Sequence, residues 1–227
     1  MKRAGLMALA GIALIPAGAA ARPATVEVAV DSGSPETVSA GQRTVSVRGK
    51  RCAVPENTAL AALLASGPKP ALRDYGSCSP RARDASGLFV TKLAGRSNRG
   101  QDGWVYKVGT KVGTAGAADP SGPFGRGRIK RGAQILWFYC RLDATSASCQ
   151  RTLHTKSQPV AGPGPKRVTV TVTACDDRGK CVAAPAGVSV NGTPVDAAGV
   201  ATVEVSPGSG RVQASGAGLV SSFPEDV

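Results

Sequence analysis

Gly103-Trp104-Val105-Tyr106-Lys107-Val108-Gly109 and, a loop later, Gln134-Ile135-Leu136-Trp137-Phe138-Tyr139-Cys140 hold both tryptophans and two of the three tyrosines of a chain that is only 4% aromatic. Aromatic side chains make the largest apolar contribution to a core, so two strand-like runs this rich locate a packing centre. In the first run Trp104, Tyr106 and Val108 alternate with Val105 and Lys107, which gives each set one face of a strand. Residues 134–140 are apolar on both faces, the pattern of a central strand covered from both sides.

Working outward, residues 24–30 and 44–48 alternate apolar and polar positions as half-buried strands do, and residues 86–92 read as another strand. Pro55-Glu56-Asn57-Thr58 leads into an Ala/Leu run that ends at Gly67-Pro68. Ala and Leu favour helix, Asn57 or Thr58 can cap it, and Gly67-Pro68 stops it. The helix is short, so it depends on laying Leu60, Leu63 and Leu64 against a sheet. Between the two aromatic strands, residues 109–132 form a long connection with five glycines inside it and the cations Lys111, Arg126, Arg128, Lys130 and Arg131. Connections of this length are uncommon in compact domains and often functional. The stretch 122–127 is not a phosphate loop, because Arg128-Ile129 stands where Lys-Ser/Thr is needed and no helix-forming run follows.

The proline- and glycine-rich residues 158–166 are expected to be a linker, since such composition does not continue a helix or an inner strand. They divide a first domain, residues 22–157, from a second, residues 167–227. The first carries 22 basic and 9 acidic residues from position 22 through Lys166, whereas the second carries 4 and 6. In the second domain, Val168-Thr169-Val170-Thr171-Val172-Thr173 is a strict β alternation. Asn191-Gly192 suits a tight hairpin, and closely spaced short strands imply a small sandwich. The fold class is therefore an α+β domain followed by an all-β sandwich, mostly β overall.

Residues 1–21 read as a signal peptide: a basic start, then a short apolar run ending in small residues. No other stretch is long and apolar enough to be a transmembrane segment, so the protein is expected to be secreted, in the medium or the cell envelope. In that setting the six cysteines, Cys52, Cys78, Cys140, Cys149, Cys175 and Cys181, are expected to form disulfides. Six cysteines allow 15 pairings; sequence proximity points to Cys52–Cys78, Cys140–Cys149 and Cys175–Cys181. A metal site is not expected, because no C-x-x-C occurs and the one histidine, His154, sits in a polar stretch that reads as a loop. Asp176 and Asp177 lack a third carboxylate at calcium-ligand spacing and read as a turn.

Residues 55–141 resemble the transcobalamin C-terminal-like domain, a β-grasp module related to the soluble ligand-binding β-grasp group. The features that carry the resemblance are the helix after Glu56-Asn57-Thr58, the strand Gly87-Leu88-Phe89-Val90-Thr91-Lys92-Leu93, the Gly103 to Gly109 signature and the closing run through Tyr139. The resemblance implies a β-grasp fold. In vitamin B12 carriers such a module covers one face of a corrinoid, but this chain has no helical partner domain to hold the other. By type and position Trp104, Tyr106 and Trp137 are the aromatic candidates for a ligand surface. Residues 168–227 are similar to the immunoglobulin-like or carboxypeptidase-regulatory-like modules of bacterial surface proteins, through residues 186–192 and 195–201.

Hydrolysis needs a nucleophile, a base and an orienting group within reach. With oxidised cysteines, one histidine and scattered carboxylates at Asp74, Asp84, Asp102, Asp119 and Asp143, no such set is legible. The expected function is non-catalytic binding or scaffolding at the bacterial envelope, without a cofactor. Its partner is an unidentified envelope component or small ligand. The alternatives are a corrinoid-like small-ligand binder and a hydrolytic enzyme. The basic first domain favours polyanion contact; nucleic acid is not the expected partner. The expected binding surface joins Trp104, Tyr106 and Trp137 to Arg126, Arg128, Lys130 and Arg131.

Overall fold

The computed structural model describes residues 23–162, 166–206 and 210–227. The expected signal peptide, residues 1–21, lies outside them, as do Pro163, Gly164 and Pro165 of the expected linker. The chain is mostly β, arranged in several sheets with one α-helix.

The first half runs β1 (Thr25–Val30), β2 (Glu36–Ser39), β3 (Arg43–Val47), β4 (Lys50–Val54), α1 (Ala59–Ala65), β5 (Ala71–Asp74), β6 (Leu88–Leu93), β7 (Arg96–Ser97), β8 (Gly103–Val108), β9 (Lys111–Val112) and β10 (Gln134–Cys140). The main sheet has the order β2-β1-β10-β8-β9, with β1 and β10 parallel and the other neighbours antiparallel. β5-β6-β7 form a second sheet and β3-β4 a hairpin.

The alternation read from the sequence assigns the faces of the main sheet. Val26, Val28, Trp104, Tyr106, Ile135, Trp137 and Tyr139 join one core with Leu60 and Leu63 of α1. Thr58 caps the helix, accepting from Ala61 N at 3.2 Å, while Asn57 Oδ1 accepts from Ala24 N at 2.6 Å. At seven residues α1 is too short to persist alone; its place on the sheet holds it.

The second half runs β11 (Thr152–Val160), β12 (Arg167–Cys175), β13 (Cys181–Ala183), β14 (Ser189–Val190), β15 (Thr193–Pro194), β16 (Val200–Glu204), β17 (Arg211–Val212), β18 (Ala214–Ser215) and β19 (Glu225–Asp226). β12 is central, with β11 on one edge and β13 and β16 sharing the other. Val168, Val170, Val172 and Ala174 turn inward from β12 to meet Val188, Val190, Val212 and Ala214. The Asn191-Gly192 turn joins β14 to β15 with both φ angles positive, at 47° and 86°.

Two expectations need correction. Gln158, Pro159 and Val160 are not linker but the end of β11, paired with Thr169, Val168 and Arg167. Pro159 is tolerated because its strand flanks β12 at the sheet margin, where a missing N–H costs no ladder bond. His154, read as a loop residue, lies within β11 and is half-buried.

The two halves also pack together. Leu136, Phe138, Cys140 and Ala29, on the face of the main sheet opposite α1, meet Phe223 and Val220. That is the second cover that the all-apolar run 134–140 requires. All six cysteines are paired, as Cys52–Cys78, Cys140–Cys149 and Cys175–Cys181, the pairing that sequence proximity indicates. Disulfides are consistent with folding in an oxidising compartment. Among the described residues no helix is long and apolar enough to cross a membrane.

Candidate functional site

A cleft opens between β6 and β8. Its outer part, a groove of about 650 Å³, is walled by Tyr75 and Phe89, floored by Trp104, Val105 and the Cys140–Cys149 disulfide, and edged by Thr91, Lys92, Asn98 and Gln101. Behind Phe89 lies a slot of about 120 Å³, closed by Tyr106 and Trp137 and by Gly113 and residues 115–117 of the long connection.

The β alternation that buries Leu88 and Val90 turns Phe89 outward. Tyr75 is 64% exposed and Phe89 44%, unusual values for aromatic side chains. Their rings meet edge to face at 5.9 Å, and the Arg73 guanidinium lies 4.6 Å from the Tyr75 ring centre. Asn98 braces the opening, donating from Nδ2 to Val90 O at 2.9 Å and accepting from Trp104 N at 3.0 Å. Asp102 Oδ1 accepts from Leu142 N at 2.9 Å, which engages the carboxylate at this rim.

Trp104, Tyr106 and Trp137 all line the slot, yet are only 2%, 5% and 1% exposed. Trp104 Nε1 donates to Arg96 O at 2.8 Å and the Tyr106 hydroxyl donates to Ala115 O at 2.9 Å. Burial, reinforced by the Asp119 charge, raises the Tyr106 phenol pKa above its ordinary value. Trp137 Nε1 is buried without a partner among the described residues.

The basic cluster lies elsewhere. Arg126, Arg128, Lys130 and Arg131 are exposed and none lines the groove or the slot. Arg128 reaches Glu56 Oε1 at 3.2 Å, and Ile129 N donates to Asn57 O. The connection is thus a strap: its first part covers the aromatics, and its last part returns past the start of α1.

Tyr75, Phe89 and Asn98 are absent from the expected site. Phe89 was findable as the one large apolar residue on the outward face of its strand. Tyr75 and Asn98 carry no such signal.

A second polar centre joins the halves. Lys107, on the face opposite Tyr106, is fully buried and donates to Thr152 Oγ1 at 2.8 Å, Asp176 O at 3.0 Å and Cys175 O at 3.2 Å, with Asp177 Oδ1 at 3.9 Å. Its ammonium is thus held by oxygen atoms of the second half. Val112 N donates to Asp177 O, and Cys149 N to Asp177 Oδ2, so the turn closed by Cys175–Cys181 is keyed into the first half.

Comparison of the chain with protein-family models, with curated proteins and with solved structures finds no match.

Proposed function

We propose that the chain is a secreted, non-catalytic binding or scaffold protein of the bacterial envelope that takes its ligand in the cleft between β6 and β8. In this reading the first half is a β-grasp module of the transcobalamin C-terminal-like kind, followed by an immunoglobulin-like sandwich. The packing of α1 against one face of a mixed sheet supports the first assignment. The Val-rich core between two small sheets supports the second.

The observation that carries the binding reading is the exposed Tyr75–Phe89 pair at the mouth of a groove of about 650 Å³. A concave, largely apolar surface with a few placed polar groups is the usual form of a ligand site, and exposed aromatic pairs serve as anchors in recognition. The Cys140–Cys149 disulfide and the buried Trp104 make the floor rigid, which limits the ordering cost of binding.

The test is co-sedimentation of the full chain with isolated bacterial envelopes, beside titration with a corrinoid panel. Tyr75→Ala/Phe89→Ala is expected to weaken envelope binding about tenfold, the loss of one to two anchor contacts. Replacing Arg126, Arg128, Lys130 and Arg131 with Ser should remove only the part of binding that salt screens. Undiminished binding by the aromatic variant refutes the assignment, and saturable corrinoid binding would favour the small-ligand alternative.

A further inference from the structure

Tyr75 is exposed but firmly held. Its backbone N–H donates to Gly87 O at 2.9 Å, and the adjacent Asp74 accepts from Gly76 N and Cys78 N. Cys78 is in turn crosslinked to Cys52 in β4. Gly76 and Gly87 approach so closely that a Cβ on Gly87 would collide with Gly76 N. Phe89, two residues on, lies on the strand that pairs with β5. A ring fixed in this way and left mostly in solvent adds little to the core, and its fixed place lowers the ordering cost of an outside contact.

The edge of the groove is fixed as well. Residues 99–102 make a tight turn in which Arg99 N donates to Asp102 O and Asp102 N to Arg99 O, both at 3.0 Å. The turn carries Gln101, exposed and with its amide unbonded among the described residues. The Ser97 hydroxyl is likewise exposed and unbonded, and Thr91 Oγ1, which donates to Ala71 O, keeps its acceptor lone pairs.

Charge and main chain narrow the occupant. Lys92 and Asp102 are the charged residues that line the groove, and they cancel. Trp104 N donates to Asn98 Oδ1 and Tyr106 O accepts from Gly113 N, so β8 offers no open strand edge to a peptide. The lining is therefore neutral: two aromatic rings set at 72° as a corner, with an amide and hydroxyls that both donate and accept. An ionic polymer gains nothing from such a lining. An alkyl chain would leave its polar groups covered and unpaired, which is unfavourable. A pyranose ring meets both demands, since its apolar C–H face lies against an aromatic ring while its hydroxyls reach the polar edge.

We infer that the groove binds a neutral glycan, with one pyranose unit seated in the Tyr75–Phe89 corner and its hydroxyls bonded to Gln101, Ser97 and Thr91. The inference rests on the binding function proposed above and specifies the chemistry of the partner.

The test uses the full chain and two kinds of probe. The first is a set of neutral hexasaccharides of glucose, mannose and galactose, beside oligogalacturonate and the glucosamine oligomer as anionic and cationic counterparts, followed by titration calorimetry at low and physiological salt. The second is isolated envelopes, either untreated, digested with protease, or treated with periodate, which cleaves vicinal diols. At least one neutral hexasaccharide should bind saturably, more tightly than its charged counterpart and with an affinity that salt leaves unchanged. Phe89→Ala and Gln101→Ala should each weaken it about tenfold, whereas Lys92→Ala should leave it unchanged. Phe89 and Gln101 are exposed, so both variants should keep the wild-type unfolding midpoint. Periodate, but not protease, should remove envelope binding.

Failure of every neutral hexasaccharide, preference for a charged oligomer, or undiminished binding by the Phe89 and Gln101 variants overturns the inference. If envelope binding depends on Phe89 but survives periodate, the binding function stands and this inference falls. If a neutral hexasaccharide binds and envelopes do not, only the envelope assignment is lost.

Discussion

Lys107 shows how one residue can be legible in position and illegible in role. The alternation in residues 103–109 places it opposite Tyr106, and a lysine on a strand face ordinarily points to water. Here the face is covered, and burial lowers its ammonium pKa to about 8, against the opposing pull of Asp177 and Asp176. Removing the side chain strands the Cys175 and Asp176 carbonyls, so Lys107→Ala should cost about 3 kcal/mol in denaturant unfolding. The pH dependence has a definite sign. Because the folded pKa lies below the ordinary 10.5, the unfolded chain binds more protons between these values, and stability from this group rises as pH climbs from about 8. Tyr106 acts the other way: its raised phenol pKa means that the folded state resists ionisation and loses stability above about pH 10. Urea midpoints at pH 7.5 and 9.5 should therefore increase in the wild type relative to Lys107→Met. Parallel changes in both proteins would contradict the assignment.

Among the elements, the three disulfides should differ in weight. Their sequence separations are 26, 9 and 6 residues, and restriction of the unfolded chain grows with loop length. Paired Cys→Ser replacement should cost about 3.5 kcal/mol at Cys52–Cys78, about 2.6 at Cys140–Cys149 and about 2.2 at Cys175–Cys181, measured by chemical denaturation. The strap depends on Gly113, where an added Cβ would collide with the Tyr106 ring. Gly113→Val should displace that ring, break its bond to Ala115 O and lower the thermal midpoint by several degrees; an unchanged midpoint would show that the strap is dispensable. Strands with a strong pattern were readable: β1, β8 and β12 lie where alternation puts them, and β10 where the continuous apolar run does. β11 was not, because Thr-Leu-His-Thr-Lys-Ser-Gln-Pro-Val is polar on both faces and contains a proline. Its strand character comes from nine pairings with β12, which no local pattern encodes. The cleft was half readable. Trp104, Tyr106 and Trp137 line the slot, but its mouth depends on Tyr75 and Phe89, brought beside β8 by tertiary packing.

At the scale of the whole molecule, the Lys107 cage and the Phe138–Phe223 contact cluster tie the halves into one cooperative unit. Both tryptophans lie in the first half, so their fluorescence reports that half alone, while far-ultraviolet circular dichroism reports both. The two transitions should coincide in the wild type and separate in Lys107→Ala. Separate transitions in the wild type would show that the halves fold independently.

The Cys140–Cys149 crosslink has a mechanical consequence. It bridges the end of β10 to the approach of β11, so tension between the halves passes through sulfur and bypasses the eight residues from Arg141 to Ser148. Those residues are hidden length. An extended chain reaches at most about 3.3–3.6 Å per residue, so a single molecule pulled from its ends should release roughly 30 Å more at this junction after reduction than before. While the bond is oxidised the junction between the halves stays short, and it becomes a slack tether only when a reductant reaches this one disulfide.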